Sequence, residues 1–241
     1  MKFNDTSSEK NGLIQDITYW TGADTSSSAF PIADRTRGIN EWYRLVVGNI
    51  ERYSSQTWRF DDRNLGNLPF ADADLEDGQE QYQLPHEAKK IYQVNVLDSS
   101  GDWNKLEHID LMDIDIAYSE FEEDNGLPYY YDLYGDSVYL KPAPAEDDVT
   151  LASGLRIYTS RGIEEFSISD TSAEPGFHHN FHRLLSIGPS YDYLSINGGS
   201  STTLSKLEGL IVKYEDLLAD AYSTKSVEGA TKMKPHRENM I

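Results

Sequence analysis

The sequence predicts an α+β protein, in which helices from the two ends of the chain form a bundle around an inserted β-rich region. Apolar residues recur at helical spacing near both ends, between residues 36 and 55 and again between residues 201 and 222. Between residues 79 and 160 they instead alternate with polar residues in short runs, which glycine and proline turns separate. We therefore predict a helical bundle part made of residues 1–77 and 161–222, a β-rich insertion at 78–160, and an extended tail at 223–241.

Two helices are predicted in the N-terminal part. A short apolar segment from Leu13 to Trp20 predicts the first of them. The second begins near Asp34 or Thr36, which are candidate N-caps, and runs to about Ser55. Its apolar positions follow the i, i+3, i+4, i+7 rule of a helix with one buried face: Ile39, Trp42, Tyr43, Val46, Val47, Ile50 and Tyr53.

Two more helices are predicted after residue 176. The first starts at Phe177, and Pro189 is expected to kink or end it. The second is the most regular in the chain, with Ser200 or Ser201 as its cap, and we expect it to pack against the 36–55 helix. Its predicted buried stripe is Leu204, Leu207, Ile211, Tyr214, Leu218 and Ala221, widened by Leu210 and Leu217.

The clearest β-hairpin spans residues 126–144. Pro128 precedes the first strand, Gly135-Asp136 supplies a tight turn, and two prolines end the second strand. Strand alternation places Tyr129, Tyr131 and Leu133 on one face and Tyr130, Asp132 and Tyr134 on the other. We expect one face to pack in a core and the other to meet a partner, since tyrosine has a large apolar body and a polar tip.

Four further segments complete the β-rich region. Residues 90–97 alternate well and return through a turn at 98–102 to residues 103–106, which predicts a second hairpin. Residues 79–83 and 154–160 predict single strands. Residues 108–116 fit either a strand or a short helix, because their periodicity does not separate the two.

The charge of the chain limits its partners. It has 41 acidic and 21 basic side chains, a formal net charge of −20. Free DNA or an anionic membrane is therefore an unfavourable partner for the body of the protein. The segment 223–241 differs, because it carries four basic and two acidic side chains. We expect this tail to be disordered alone and to contact an acidic partner through Lys232, Lys234 and Arg237.

The chain lacks the usual marks of an enzyme or a cofactor protein. It has no cysteine, and so no disulfide, thiol nucleophile or thiolate metal site. No apolar run approaches the ~20 residues of a membrane span, and the N-terminus shows no apolar signal core, so we expect a soluble protein made in a cytoplasm. We predict no catalytic, cofactor-binding or metal-binding residue.

Two patterns could suggest a metal. Residues 72–78 resemble a calcium loop, but the glycine comes one position late and Gln83 occupies the twelfth position, so we favour an ordinary acidic turn. His178 and His182 lie one helical turn apart but lack a third ligand. The competing interpretation buries Phe177 and Phe181 and leaves the histidines solvated.

Paired carboxylates could act as acid/base dyads, as in a glycosidase. Neighbouring acids point in different directions, however, and 41 carboxylates guarantee chance pairs. An enzyme is therefore the less favoured class. The pairs considered are Asp61-Asp62, Glu122-Glu123-Asp124 and Asp147-Asp148.

The order of several motifs resembles the head-to-tail adaptor, or connector, proteins of tailed bacteriophages. The resemblance covers about residues 12–222. The motifs are an Ile-Asn…Trp-Tyr helix, Trp58-x-Phe60-Asp61-Asp62-x-Asn64, Gly78-Gln79-x-x-Tyr82-x-Leu84-Pro85, Val94-x-Val96-x-Asp98-x-x-Gly101-x-Trp103, Gly126-x-Pro128-x-Tyr130-Tyr131 through Gly135 to Pro142-x-Pro144, and Pro175-Gly176-Phe177-His178…Phe181-His182.

The resemblance implies a structural virion protein without catalytic activity. Such adaptors assemble as a ring, usually of twelve copies, below the portal protein in the neck between capsid and tail. They extend the channel through which double-stranded DNA passes and offer a surface to the next tail or nozzle protein. In that setting we expect Tyr129, Tyr130, Tyr131 and Tyr134 to lie at a subunit or partner contact. The alternative from another class is a carbohydrate-binding β-module, because tyrosine, tryptophan and carboxylates are also what sugars stack on and hydrogen-bond to.

Overall fold

The computed structural model describes residues 1–54, 59–84, 88–110 and 124–223. Within these ranges the chain forms four α-helices and two four-stranded sheets, which is compatible with the predicted α+β class. Contacts divide it into two compact units. The helical unit comprises residues 1–64 and 163–241, and the sheet unit comprises residues 65–162.

The helical unit contains α1 (Leu13–Thr21), α2 (Ile32–Tyr53), α3 (Leu184–Ile196) and α4 (Ser201–Ser223). Helix α3 packs against each of the other three, and α4 also contacts α2. The prediction for α4 thus named only one of the two helices against which it packs. Helix α3 fills this central position because it is apolar nearly all round, and every residue from 184 to 190 is buried.

Predictions about the ends of two helices were wrong. Helix α2 begins at Ile32, so Asp34 and Thr36 lie inside its first turns and neither caps it; the preceding residue is Pro31, at φ −66°. A proline can replace a cap here because its fixed φ suits a helix start. Helix α3 begins at Leu184 rather than at Phe177, and only a short 3-10 turn, His179–Phe181, precedes it. Of the two effects expected of Pro189, a kink or an end, the end does not occur, because α3 continues to Ile196. Close packing compensates for the lost hydrogen bond, since a Cβ placed on Gly38 of α2 would lie 3.2 Å from the Pro189 Cβ.

The stripe on α4 is partly as predicted. Leu207 and Leu218 are fully buried, and Ile211 and Tyr214 are partly buried against the same core. Leu217 was expected to widen the stripe but is 47% exposed. It lies about 100° around the helix from Leu218, which places it beyond the edge of the contact with α3 and α2. The cap prediction is confirmed, because the Ser200 Oγ accepts a hydrogen bond from the Thr203 N–H at 3.2 Å.

A buried arginine holds the connection between α1 and α2. The Arg35 guanidinium is fully buried and donates to the carbonyls of Phe30, Ala23 and Asp24 at 2.7–2.9 Å and to the Thr18 hydroxyl at 2.7 Å. These bonds satisfy a cation that would be costly to bury alone. They therefore fix the path of residues 22–31, which the sequence indicated only as an extended loop.

The described part of the sheet unit contains eight strands in two sheets. They are β1 (Phe70–Ala73), β2 (Gln81–Gln83), β3 (Lys90–Leu97), β4 (Trp103–Lys105), β5 (Glu107–His108), β6 (Tyr130–Tyr134), β7 (Ser137–Lys141) and β8 (Leu155–Ser160). One sheet has the order β1-β8-β3-β4 and the other β2-β7-β6-β5. All pairs are antiparallel except β5–β6, which is parallel. One apolar cluster packs inside the unit, formed by Leu75, Tyr82, Val94, Val96, Leu106, Tyr131, Val138, Leu140, Val149, Leu155 and Ile157.

Both predicted hairpins are confirmed. Strands β6 and β7 pair around Gly135-Asp136, where Gly135 has φ +60°, a conformation that favours glycine. Strands β3 and β4 pair across the turn at 98–102. Of the ambiguous segment 108–116, His108 ends strand β5, and residues 111–116 lie outside the described part.

Candidate assembly interface

The most exposed large apolar side chains of the sheet unit include four along β6 and its entry. They form what we call the tyrosine patch: Tyr129 (58% exposed), Tyr130 (36%), Leu133 (38%) and Tyr134 (70%). Alternation alone would have buried Leu133 and Tyr129 together with Tyr131. Only Tyr131 is buried, where its side chain joins the core of the unit and its ring contacts His108 at 5.2 Å. Burial raises the pKa of Tyr131 above its ordinary value.

A groove adjoins this patch and was not predicted. It has a volume of about 620 Å³, and Leu133, Gly135 and Asp136 of the hairpin form one wall. The other wall comes from the ends of β2 and β3 and includes Lys89 and Lys90, which are both exposed. The lysine pair was visible in the sequence, but only the pairing of β2 with β7 brings it beside the hairpin turn.

The three tail residues predicted to contact a partner, Lys232, Lys234 and Arg237, lie outside the described residues, as does Trp58 of the second motif.

Two of the motifs meet in the core of the helical unit. The Asp62 carboxylate accepts hydrogen bonds from the Tyr43 hydroxyl at 2.5 Å and from the backbone N–H groups of Asn64 and Glu164 at 2.9 and 3.1 Å. The Gly176 N–H donates to the Tyr43 hydroxyl at 2.5 Å. Burial, together with the bond to Asp62, raises the pKa of Tyr43 far above its ordinary value, so the hydroxyl remains a donor.

Glycine at 176 is explained by this contact. A Cβ at that position would lie 1.5 Å from the Asp62 Oδ1. The Asp61-Asp62 pair is therefore divided between an exposed residue and a buried one that bonds the backbone of two loops. This arrangement serves structure, and it separates the two carboxylates of this pair.

The histidine interpretation needs correction. His178 is exposed as expected, but His182 is fully buried. Its Nε2 contacts the Phe177 carbonyl at 3.0 Å, and its Nδ1 accepts from the Met1 amino group at 2.6 Å. Both ring nitrogens are thus occupied within the protein. Among the described residues, no group of three or more His, Asp or Glu side chains is arranged to hold a metal ion.

We expect His182 to make the helical unit sensitive to acid. Burial lowers the pKa of His182 from 6.5 to about 4. The charges of the Met1 amino group and Arg63 also lower this pKa, and the charge of Glu174 raises it. Between these two pH values the unfolded chain binds a proton at this histidine and the folded chain does not. The free energy of unfolding should therefore fall as the pH drops from about 6.5 to about 4, by about 3 kcal/mol from this residue.

Denaturant titrations of the wild type and His182→Gln at pH 7 and pH 4.5 measure this contribution. The variant should lose less stability on acidification than the wild type. His179→Gln, at an exposed neighbouring position, is the matched control and should behave as the wild type. Equal acid sensitivity of the wild type and His182→Gln would contradict the prediction.

The carboxylates of residues 72–78, predicted to form an ordinary acidic turn, accept hydrogen bonds from backbone and side-chain donors. Asp72 forms two bonds to Arg156 at 2.7 and 2.9 Å, Asp74 accepts from the Ser153 N–H, and Asp77 accepts from the Glu146 N–H. The acidic turn interpretation accounts for these contacts.

The outer face of the first sheet bears on the carbohydrate alternative. The Arg156 guanidinium lies 4.3 Å from the ring centres of both Phe70 and Trp103. Each of these rings therefore already has a cation stacked on one face, in an arrangement that the Asp72 carboxylate fixes. This stack occupies one ring face of Phe70 and one of Trp103, and so leaves less of their surface for a sugar to stack on.

The match to a family model decides the classification. A model described as SU10 adaptor protein matches residues 11–197, which is most of the chain. The chain belongs to the SU10 adaptor protein family. This is a family of phage head–tail adaptors, so the resemblance seen in the sequence is confirmed. No curated protein matches the chain.

Membership in the SU10 adaptor family gives the chain a coarse role. It is a phage structural adaptor and a component of the virion, which suggests a protein without catalytic activity that interacts with portal and tail proteins. No described helix is both long and apolar enough to cross a membrane. The SU10 match includes α1, α2, α3 and all eight strands, and thus the whole tyrosine patch and the groove.

Proposed function

We propose that this SU10 adaptor forms a ring, of twelve copies, that joins the portal protein to the tail and extends the DNA channel. The ring would sit in the neck between capsid and tail, after its subunits are made in the host cytoplasm. In this proposal the helices form the bundle of each subunit, the sheet unit is its insertion, and residues 223–241 are its tail.

The tyrosine patch is the observation that carries this proposal. Four large apolar side chains lie exposed along one strand of a hairpin, and a chain that stayed monomeric would risk association through them. Tyrosine is also enriched at protein interfaces, because its ring buries apolar area and its hydroxyl finds a partner. We assign the patch to a contact with a neighbouring subunit, the portal or the next tail protein.

The negative charge of the sheet unit supports the proposal that the ring extends the DNA channel. The sheet unit carries 21 acidic and 6 basic side chains, so most of the net charge of −20 belongs to it. Each Lys or Arg contact to a phosphate would add affinity and slow the passage of DNA. An acidic wall allows the phosphate backbone to pass without specific binding.

The tail would add a second contact. Residues 223–241 carry a net charge of +2 after an acidic body. We assign Lys232, Lys234 and Arg237 to charge-assisted hydrogen bonds with carboxylates of a neighbouring subunit or the portal.

The double substitution Tyr130→Ser and Tyr134→Ser tests the role of the patch. Both side chains are exposed, so the free energy of unfolding should change by less than about 1 kcal/mol. Joining of tails to heads should be lost, measured as the fraction of tailed particles in electron micrographs and as infectious titre. Tyr19→Ser, at a position 73% exposed in the helical unit, is the control and should assemble normally. Normal joining of tails to heads in the double variant would show that assembly does not need the tyrosine patch.

A further inference from the structure

Strands of both sheets run between the same two ends of the sheet unit, and these ends differ in their loops. Strand β3 starts at Lys90, beside the hairpin turn 135–136, and finishes at Leu97. Strand β7 also starts at this end, directly after the turn, and leads to the loop 144–148 at the far end. Hydrogen bonds join the two sheets' loops at this far end, where the Ser99 N–H donates to the Asp148 carbonyl at 3.0 Å. Eight residues of extended strand separate the ends by about 23 Å.

The far end is strongly acidic. Its loops 74–80, 124–126 and 144–153 contain no Lys or Arg. Backbone bonds hold them together, including Gly78 N–H to the Pro144 carbonyl at 2.8 Å and Ala145 N–H to the Gly126 carbonyl at 3.1 Å. We call this the acidic end, and its exposed carboxylates are Asp74, Glu76, Asp77, Asp124, Glu146, Asp147 and Asp148.

The opposite end holds the groove. Lys89 and Lys90 are the only two consecutive Lys or Arg residues in the chain, and both line it. The unit has four other cations: Lys141 is buried against Glu80 at 2.7 Å, Arg156 is bound by Asp72, Arg161 donates to the carbonyls of Asn67 and Leu68, and Lys105 lies on β4. Leu84, Ile91, Tyr92 and Leu133 give the groove apolar walls. Two cations, one carboxylate (Asp136) and apolar surface thus occur together at the end that lies away from the acidic loops.

We propose that the groove of one copy receives the acidic end of the sheet unit of the next copy. This inference rests on the proposed ring and names the contact that builds it. Sheet units with 21 acidic and 6 basic side chains repel each other in most orientations. A contact between the same end of two copies would place acidic loops against acidic loops or lysines against lysines. A head-to-tail contact pairs the opposite charges, and such heterologous contacts are the ones that generate rings.

Cross-linking of engineered cysteines tests this contact. The chain has no cysteine, so Lys90→Cys/Asp147→Cys has one thiol at each end of the sheet unit. A bis-maleimide linker much shorter than the ~23 Å between the ends cannot join them within one copy. Virions assembled with this variant are treated with the linker and analysed on a denaturing gel. We expect a ladder of covalent multimers that extends to the complete ring.

The controls separate the contact from the proposed function. Lys105→Cys/Lys213→Cys, which also replaces two exposed residues, should remain monomeric under the same treatment. If Lys90→Cys/Asp147→Cys does not enter virions, Ala88→Cys/Glu146→Cys repeats the test with both lysines retained. Virions that contain the variant chain but yield only monomers would overturn this contact and leave the adaptor role standing. Absence of the wild-type chain from virions would instead overturn the proposed function itself.

Discussion

Replacing Asp62 with alanine is expected to lower the free energy of unfolding of the helical unit by about 4 kcal/mol or more. The substitution leaves the Tyr43 hydroxyl and the N–H groups of Asn64 and Glu164 without their acceptor. A buried donor that loses its partner costs about 1–3 kcal/mol. The bond from Tyr43 is buried and the two from the backbone are partly buried, and the substitution also removes the packing of a buried side chain. The aspartate is 1% exposed, so water cannot replace it without a change in the surrounding structure.

The neighbouring acid provides the control. Asp61→Ala removes the same charge at an exposed position and should cost less than about 1 kcal/mol. Chemical denaturation followed by circular dichroism measures both variants. If the two lose stability equally, the bonds to Asp62 are not what holds these loops.

Replacing Leu207 with aspartate should unfold the helical unit or nearly so. Leu207 is fully buried in the core under α4, and an unpaired carboxylate there costs several kcal/mol. Stabilities of whole domains are only about 5–15 kcal/mol, so we expect a thermal transition that is lost or lowered by more than 10 °C.

Leu217→Asp is the matched comparison on the same helix. Its side chain is 47% exposed, and we expect the thermal transition to move by no more than a few degrees. The pair distinguishes a buried stripe on α4 from a general need for apolar residues along it. A soluble, cooperatively folded Leu207→Asp protein would show that α4 is not part of the core.

Periodicity correctly predicted the elements in which the local sequence pattern agrees with the tertiary contacts. Strand β3 has the predicted bounds, 90–97, and the 126–144 hairpin forms around its predicted turn. These segments carry both alternation and turn residues, so local and tertiary preferences agree. Helix α4 was predicted for the same reason, with Leu207 and Leu218 buried and Ser200 as its cap.

The errors arose where packing overrides a local rule. Proline breaks isolated helices. Helix α3 nevertheless continues through Pro189, because α1, α2 and α4 enclose it. His182 was expected in solvent because histidine is polar, but the Phe177 carbonyl and the Met1 amino group satisfy its ring inside the core. Such partners lie far away in sequence, and no spacing rule contains them.

The candidate site was only partly accessible to sequence reasoning. Four tyrosines in six residues marked the hairpin, but alternation could not say that Tyr131 alone would be buried. The groove beside it requires the β2–β7 register, which joins residues more than fifty positions apart, together with the local β6–β7 hairpin. The polarity of charge along the sheet unit became visible only once those registers were known.

The division of the chain into two units also affects the order in which they can fold during synthesis. All contacts inside the sheet unit lie within residues 65–162, whereas the helical unit needs α1 and α2 from the start of the chain and α3 and α4 from after residue 183. Chains are made from the N-terminus at about 5–20 residues per second, and units generally fold as wholes. On the ribosome the sheet unit can therefore complete its core while α1 and α2 still wait for α3. For several seconds the apolar faces by which α1 and α2 contact α3 lack that partner, so apolar surface is exposed while the rest of the chain is made.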